Sequence, residues 1–352
     1  MTVIPTFCIF TTEKNLNRKN MKRTAVFLIL SLCLVAAALI DLSTGSAEIG
    51  LKEIVQVFLQ NENSIIREII LEYRIPKVLT AILAGAALSV CGLQMQTLFR
   101  NPLADPYIMG ISTGAGLGVA LFTMGASALG ISGALFQNIG IAGAACIGAT
   151  FVTVIILLVS QRLKNAVSLL IFGIMLSSIG GAIISLLQFW SSDSGLKAFT
   201  LWTMGSFNGI NYTHLGTMAV IVFLGLGISI FNIKDLNLLL MGEEFARSAG
   251  LNENRSRNRI LIAATLLAGG ITAFCGPIGF IGIAVPHLCK MLMSTANHRI
   301  LVPMSMLAGA TLMVLADILS QSLSSSAIIP INTISAILGI PVILIIILKS
   351  YR

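Results

Sequence analysis

The sequence predicts an all-α polytopic membrane protein with about ten transmembrane helices. Three observations predict it. Hydrophobic residues make up 56% of the 352 residues, charged residues only 10%, and apolar stretches recur along the whole chain. A soluble domain carries about 25% charged residues, and a soluble fold of this length could not bury so much apolar surface. The bilayer is the environment that matches this composition.

Ten apolar segments have the length and hydrophobicity expected of membrane spans, which need about 20 apolar residues each. The seventh and eighth are short, and Gly276-Pro277 joins them. An amphipathic piece at 198–207 separates the fifth segment from the sixth, and the longest polar stretch, 45–73, follows the first. The predicted spans are 24–40, 78–98, 107–125, 139–159, 168–190, 213–231, 259–275, 278–293, 301–319 and 331–348.

The start of the chain has two readings. Met21, Lys22 and Arg23 followed by an apolar run resemble an alternative start or a signal peptide. Nine more hydrophobic segments follow, which favours an uncleaved first helix. We therefore expect residues 1–23 to form a cytoplasmic N-terminal segment and residues 24–352 a single ten-helix transmembrane domain.

The basic residues predict an orientation. The net charge is +8, and 17 of the 22 Lys and Arg fall in connections on the same side as the N-terminus. Cytoplasmic loops carry the excess of Lys and Arg, so both termini are expected in the cytoplasm. No basic patch with interleaved aromatic residues suggests a nucleic-acid partner. The opposite side holds Lys52, Arg67, Arg74, Lys77 and Lys197.

A weak internal repeat predicts two inverted five-helix halves. Its offset of 184 residues corresponds to five predicted spans, an odd number, so two such halves must enter the membrane in opposite orientations. Inverted repeats are common in transporters, with the substrate path at their interface. Leu83-Ala84-Gly85, Cys91-Gly92 and Pro102 recur as Leu267-Ala268-Gly269, Cys275-Gly276 and Pro286.

The sequence holds few residues suited to chemistry. It has no phosphate-binding loop, and its six Cys and three His form no metal or redox pattern. We therefore expect no catalytic residues, no metal and no cofactor. Asp317 and His287 are the clearest ionisable residues within spans. An ion-coupled carrier usually keeps buried carboxylates for its ions, so their scarcity argues against that alternative, and a membrane-embedded enzyme would need a nucleophile or metal cluster.

The segment from Gly242 to Leu251 predicts a short capped helix. Glu243 and Glu244 would lie at the positive end of its dipole, and Gly250 can close it in the left-handed conformation. Arg247 follows the acids by three and four residues and could share their face. The segment is either a solvated connector or a helix suited to a groove on a partner.

Four stretches of the sequence are distinctive, namely residues 74–79, 83–106, 242–251 and 276–287. Together they resemble the FecCD family, the permeases of type II ABC importers for siderophores, haem and vitamin B12. The resemblance extends from about Thr24 to Arg352. The family motif residues are Asn101, Pro102, Asp105, Pro106, Gly276, Pro277, Gly279, Phe280, Gly282, Pro286 and His287.

The resemblance implies a fold like that of the vitamin B12 importer permease. It implies a homodimer in the bacterial inner membrane with one substrate path on its two-fold axis. Two ATP-binding-cassette ATPase subunits would lie below it and hydrolyse ATP, so this chain would not be an enzyme. A periplasmic or lipid-anchored substrate-binding protein would dock above. The helix that couples to the ATPase would contain Gly242, Glu243, Glu244, Ala246, Arg247, Gly250 and Leu251.

The resemblance also implies a docking site and a class of cargo. Arg74 and Lys77 occupy the positions of the family's outer basic residues, which meet acids of the binding protein. A third basic contact of the vitamin B12 permease has no counterpart here, because Ala316-Asp317 leads to Gln321. An iron-siderophore is the first choice of cargo, with haem and cobamide as alternatives.

Overall fold

The computed structural model describes residues 7–45, 49–59, 65–125, 134–163, 166–323 and 329–350, and all regular structure within these ranges is helical. The helices are α1 (Phe7–Ser43), α2 (Leu51–Leu59), α3 (Ile65–Leu98), α4 (Ile111–Gly125), α5 (Ala134–Ser160), α6 (Ala166–Phe189), α7 (Asp193–Thr203), α8 (Tyr212–Phe231), α9 (Ile233–Leu239), α10 (Glu243–Ser248), α11 (Glu253–Cys275), α12 (Ile281–Met293), α13 (His298–Ser322) and α14 (Ile331–Ser350).

The ten predicted spans correspond to ten of these helices. Seven helices in the described ranges are long and apolar enough to cross a membrane, namely α1, α3, α5, α6, α8, α11 and α13. The other three, α4, α12 and α14, are shorter apolar helices. The all-α membrane fold is thus confirmed, while α1 begins at Phe7 and α3 at Ile65, both earlier than the predicted spans.

Polar side chains fix where several helices begin. Asn211, Asn252 and Asn297 accept hydrogen bonds from backbone N–H groups in the first turns of α8, α11 and α13. Ser192 does the same for α7, the helix that covers most of the amphipathic piece predicted at 198–207. Such caps satisfy N–H groups that have no partner within the helix.

Helix α3 lies at the centre of the bundle. It packs against α8, α12 and α13, and glycines bring the backbones together. A Cβ on Gly85 would lie 2.1 Å from the carbonyl oxygen of Gly309 in α13, and one on Gly92 would lie 1.9 Å from that of Gly282 in α12. Small residues permit this approach where lipid offers no hydrophobic drive between helices.

The Gly-rich start of α4 uses the same principle. A Cβ on Gly118 would lie 2.1 Å from the carbonyl oxygen of Ala144, and one on Gly148 would lie 2.1 Å from that of Gly114. Helices α4 and α5 therefore touch through their backbones, which is the close packing expected from the small residues of this segment.

The two related segments of the predicted repeat both start in helices, α3 and α11. Four apolar helices, α4, α5, α6 and α8, lie between them, so the offset is five spans, as two inverted halves require. Their local conformations differ, because Gly92 lies within the continuous helix α3, whereas Gly276, with a φ of 75°, follows the end of α11.

Candidate functional site

The segment predicted to couple to an ATPase forms helix α10. Gly242 precedes it with a φ of 119°, a conformation that favours glycine. After it, Gly250 adopts a φ of 87°. The N–H of Leu251 donates to the Ala246 carbonyl, and the N–H of Gly250 donates to that of Arg247, both at 2.9 Å. This pattern is a Schellman cap, so the predicted glycine closure is found.

Helix α10 presents a charged and partly apolar surface. Ala246 is buried against the bundle, whereas Glu244 and Phe245 are exposed. Arg247 forms an ion pair with Glu253 of α11 at 2.6 Å, rather than only facing the two acids of its own helix. The hydrogen bond and the charge of Glu253 raise the pKa of Arg247 above its usual value. The pair fixes the end of α10 on the start of α11.

A small cleft separates α10 from the C-terminal end of α3. Arg100, Glu243, Glu253 and Arg257 are among its lining residues. Arg257 is buried, and its Nη2 donates to the carbonyl oxygens of Ser160 at 2.7 Å and Leu163 at 3.0 Å. The guanidinium thereby connects α11 with the end of α5. The cleft contains two acids and two bases in a confined space next to the predicted docking helix.

The first part of the motif at 276–287 interrupts the helical structure between α11, which ends at Cys275, and α12, which begins at Ile281. Gly276 has a positive φ, and a Cβ at this position would lie 2.2 Å from the carbonyl oxygen of Trp202. Phe280 has a φ of 70°, which is rare for residues other than glycine. The freed N–H groups have side-chain partners. Ile278 donates to the Tyr107 hydroxyl at 3.2 Å, and Gly279 donates to Asn332 Oδ1 at 3.0 Å. Irregular backbone in a membrane protein requires such partners.

The motif at 100–106 forms the second irregular segment, between α3 and α4. Asn101 Oδ1 accepts from the Leu103 N–H at 2.9 Å, and Asp105 Oδ1 accepts from the Tyr107 N–H at 2.8 Å. These are local turns of the kind that Asn and Asp favour. Pro106 packs against Gly282, where a Cβ would lie 2.4 Å from the proline ring. Pro106 and Tyr107 therefore bring the two motif segments into contact.

The two residues predicted to dock a binding protein are both buried. Lys77 Nζ lies 3.0 Å from Asp317 Oδ2 and 3.5 Å from Asp41 Oδ1. Arg74 Nη1 donates to the Leu42 carbonyl at 2.6 Å. Both side chains thus have partners within this chain, and their docking role stays a prediction.

A buried carboxylate pair overturns one expectation from the sequence. The sequence predicts few buried carboxylates, which argues against an ion-coupled carrier. In the structure, however, Asp41 and Asp317 both contact Lys77. The side-chain amide of Gln321 donates to both acids, at 2.9 Å and 3.1 Å. Asp41 was missed because it follows the predicted end of the first span. The ammonium of Lys77 and the amide of Gln321 occupy the space between the acids, so the cluster differs from an open ion site.

The described residues contain no group of three or more His, Cys, Asp or Glu that could hold a metal ion. The described Cys residues are free thiols. The polar residues that sequence reasoning missed lie at the C-terminal end of α3. Gln96 bonds to α12, and Thr97 bonds to His298 of α13. Their signal in the sequence is a run of polar residues within an apolar span.

Comparison with known proteins identifies the same family as the sequence motifs. A family model described as the FecCD transport family matches residues 32–349. The hemin transport system permease protein HmuU of Yersinia pestis is 36% identical over 315 residues, covering 89% of this chain and 93% of its own. The vitamin B12 import system permease protein BtuC of Salmonella typhi is 35% identical over 281 residues, covering 80% and 84%.

A solved structure extends this likeness to three dimensions. It is an inward-facing conformation of an ABC transporter of the metal-chelate type, with a TM-score of 0.80 and 31% identity. The match covers 93% of this chain and 99% of the other. The sequence motifs, the helical bundle and these matches agree, and the chain belongs to the FecCD transport family.

Proposed function

We propose that this chain forms the translocation path of an ATP-driven importer for an iron-siderophore or a similar metal chelate. Members of its family are multi-pass permease subunits of ABC transporters and are not themselves enzymes. The observation that carries the proposal in this chain is α10, a short helix bounded by Gly242 and Gly250 and capped at its C-terminal end, between two membrane-embedded segments. A short capped helix with exposed Glu244 and Phe245 fits a groove on an ATPase.

The proposed assembly is a homodimer with two ATPase subunits and one substrate-binding protein. The chain supplies half of the path, and α10 of each copy docks on one ATPase. ATP hydrolysis then takes place in the partner subunit. A chain with no phosphate-binding loop needs such a partner to use ATP.

The proposed orientation places both termini and α10 in the cytoplasm. It rests on the distribution of basic residues, and α10 lies on the same side as the basic excess. A reporter fused after Arg352 should read as cytoplasmic, and one inserted near Asn61, which lies outside the described residues, should read as periplasmic. The opposite pair of readings would overturn the orientation and the ten-span order together.

The proposed cargo is an iron-siderophore, with haem and cobamide as the second candidates. The 36% identity to a hemin transport permease favours haem as the first of these. Uptake of labelled ferric siderophore, haemin and cobalamin should be compared in cells with and without this gene. Loss of uptake of one of them on deletion, with recovery on complementation, supports the proposal, and unchanged uptake of all three contradicts it.

The different-class alternative is an ion-coupled secondary carrier. The buried pair of Asp41 and Asp317 favours this alternative, but the Lys77 ammonium and the Gln321 amide already contact both acids. The two mechanisms differ in their energy source. Uptake by the importer should stop when the catalytic glutamate of its partner ATPase is removed, whereas uptake by an ion-coupled carrier should stop with a protonophore and continue without the ATPase.

A further inference from the structure

Helix α12 contains Pro286 at its middle, which interrupts its internal hydrogen bonds. Proline has no N–H, so the carbonyl of Gly282, four residues earlier, receives no donor from within the helix. Gln96 of α3 supplies one. Its Nε2 lies 3.3 Å from the Gly282 oxygen and 3.2 Å from that of Ile283. A side chain of the central helix thus replaces the hydrogen bond that the proline removes.

The same side chain also holds α12 on the far side of the proline. Gln96 Oε1 accepts a hydrogen bond from Lys290 Nζ at 2.9 Å, and Lys290 follows Pro286 by four residues. Gln96 is 3% exposed, and the backbone contact between Gly92 and Gly282 holds the two helices together one turn away. Both parts of the interrupted helix are therefore positioned by one amide.

The next residue of α3, Thr97, is bonded to a different helix, α13. Thr97 Oγ1 lies 2.8 Å from His298 Nε2, and His298 is fully buried at the start of α13. His298 Nδ1 lies 3.0 Å from Asn237 Oδ1, which also accepts from the His298 N–H at 2.9 Å. A proton on Nδ1 lets the imidazole donate to Asn237 Oδ1.

Asn237 belongs to α9, and α9 ends three residues before Gly242, where the turn into α10 begins. Leu236 and Leu239 of α9 are buried in the core. A displacement of α10 must therefore act on α9, and α9 is hydrogen-bonded through His298 to Thr97. Gln96 and Thr97, which are consecutive in α3, thereby link α12 to α13 and α9.

We propose that Gln96 is a positioning residue that transmits the displacement of α10 to α12, so that ATP hydrolysis moves the broken segment at 276–280. The inference rests on the proposed function, because it takes α10 as the ATPase-docking helix. Gln96 would touch neither cargo nor nucleotide. Its role is to make α12 follow α3, despite a proline that would otherwise let the two parts of α12 move separately.

The test measures cargo imported per ATP hydrolysed by the full transporter in proteoliposomes. The cargo is whichever of ferric siderophore, haemin or cobalamin the unmodified transporter imports. Gln96→Leu removes the donor and the acceptor while keeping a similar volume. We expect ATP hydrolysis to continue and cargo per ATP to fall by about tenfold, within the usual range of coupling between sites.

Gln94→Leu is the matched control. Gln94 is also a fully buried glutamine of α3, but its Nε2 donates to Ser229 of α8 at 2.6 Å and not to α12. This variant should keep the normal cargo per ATP, even if its stability or total activity falls. The proposal is overturned if Gln96→Leu keeps the normal ratio, or if Gln94→Leu lowers the ratio equally.

Two further variants test the series of hydrogen bonds from Lys290 to Asn237. They keep the proposal testable if the Gln96→Leu protein does not fold. Lys290→Met and Asn237→Leu should each lower cargo per ATP, because they break the two ends of the connection. Each should lower it no further when combined with Gln96→Leu, since contacting residues of one network are not additive. A normal amount of cargo imported per ATP hydrolysed in both single variants contradicts the inference. Absence of ATP-driven uptake in the unmodified transporter contradicts the proposed function instead.

Discussion

Lys77 Nζ lies 3.0 Å from Asp317 Oδ2 and 3.5 Å from Asp41 Oδ1, so one ammonium holds carboxylates from two other helices. The three side chains belong to α3, α13 and α1, and each is at least nine-tenths buried. Gln321 adds hydrogen bonds to both acids. The cluster therefore ties the peripheral helix α1 to the centre of the bundle.

Removing the cation from this cluster should destabilise the protein strongly. Lys77→Met keeps most of the side-chain volume but leaves two buried carboxylates facing each other. Breaking a buried ion pair by removing one partner costs about 3–5 kcal/mol. Thermal unfolding in detergent should show a clear loss of stability.

The exposed pair of Arg259 and Asp235 provides the control for this variant. Arg259 is 50% exposed, and exposed pairs contribute about 0–1 kcal/mol. Arg259→Met should therefore leave the unfolding temperature nearly unchanged. Equal losses in the two Met variants would mean that the buried cluster contributes no more than a surface pair.

The contrast between these pairs illustrates what sequence reasoning can predict. Apolar run length and the Gly276-Pro277 break were enough for the ten helices, because span length and helix breaking are local properties. The partners of Lys77 lie 36 residues before it and 240 residues after it. A single sequence does not contain information on which helices meet. The position of Lys77 at the start of a predicted span therefore suggested a side chain that faces outward from the membrane.

The same limit applies inside the segment predicted to couple to an ATPase, Gly242 to Leu251. The helix and its glycine cap depend on neighbouring residues and followed from the sequence. The partner of Arg247 did not, because α10 ends at Ser248 and the chain then turns so that Glu253 of α11 reaches the guanidinium. The bonds of Gln96 to α12 also join residues that are more than 180 positions apart.

Close backbone contact makes one glycine of α3 intolerant of any side chain. A Cβ at Gly92 would lie 1.9 Å from the Gly282 carbonyl oxygen, whereas one at Gly227 of α8 would meet nothing within 4 Å. Gly92→Ala must push α3 and α12 apart, and we expect a loss of more than about 2 kcal/mol, since overpacking costs about 1–3 kcal/mol. Gly227→Ala should be neutral or stabilising by up to about 1 kcal/mol. Thermal unfolding of both variants decides this, and a stable Gly92→Ala protein would contradict the contact.

Docking of a binding protein at Arg74 predicts a kinetic effect. Charges at an interface mainly set the association rate and its salt dependence. Arg74→Gln should slow association of the binding protein by about fivefold and make the rate less sensitive to salt. Surface plasmon resonance on the transporter in nanodiscs measures both quantities.

Lys52→Gln is the control for Arg74→Gln, because Lys52 is an exposed base of α2 on the same predicted face. It should leave association unchanged. If Arg74→Gln also associates at the normal rate, Arg74 serves contacts within this chain, such as its bond to Leu42, and its docking assignment is wrong.

Charge reversal on α10 tests whether this helix docks on the ATPase. Glu243→Lys with Glu244→Lys places two cations at the helix N-terminus, where the dipole favours anions, and reverses the charge offered to the partner groove. We expect uptake to fall below about a tenth of the normal level, which corresponds to about 1.4 kcal/mol. The variant should remain in the membrane and lose co-purification with the ATPase. Glu68→Lys with Glu72→Lys makes the same charge change at two exposed acids of the opposite predicted face and should retain the ATPase. If the α10 variant transports normally, the segment is only a connector between α9 and α11.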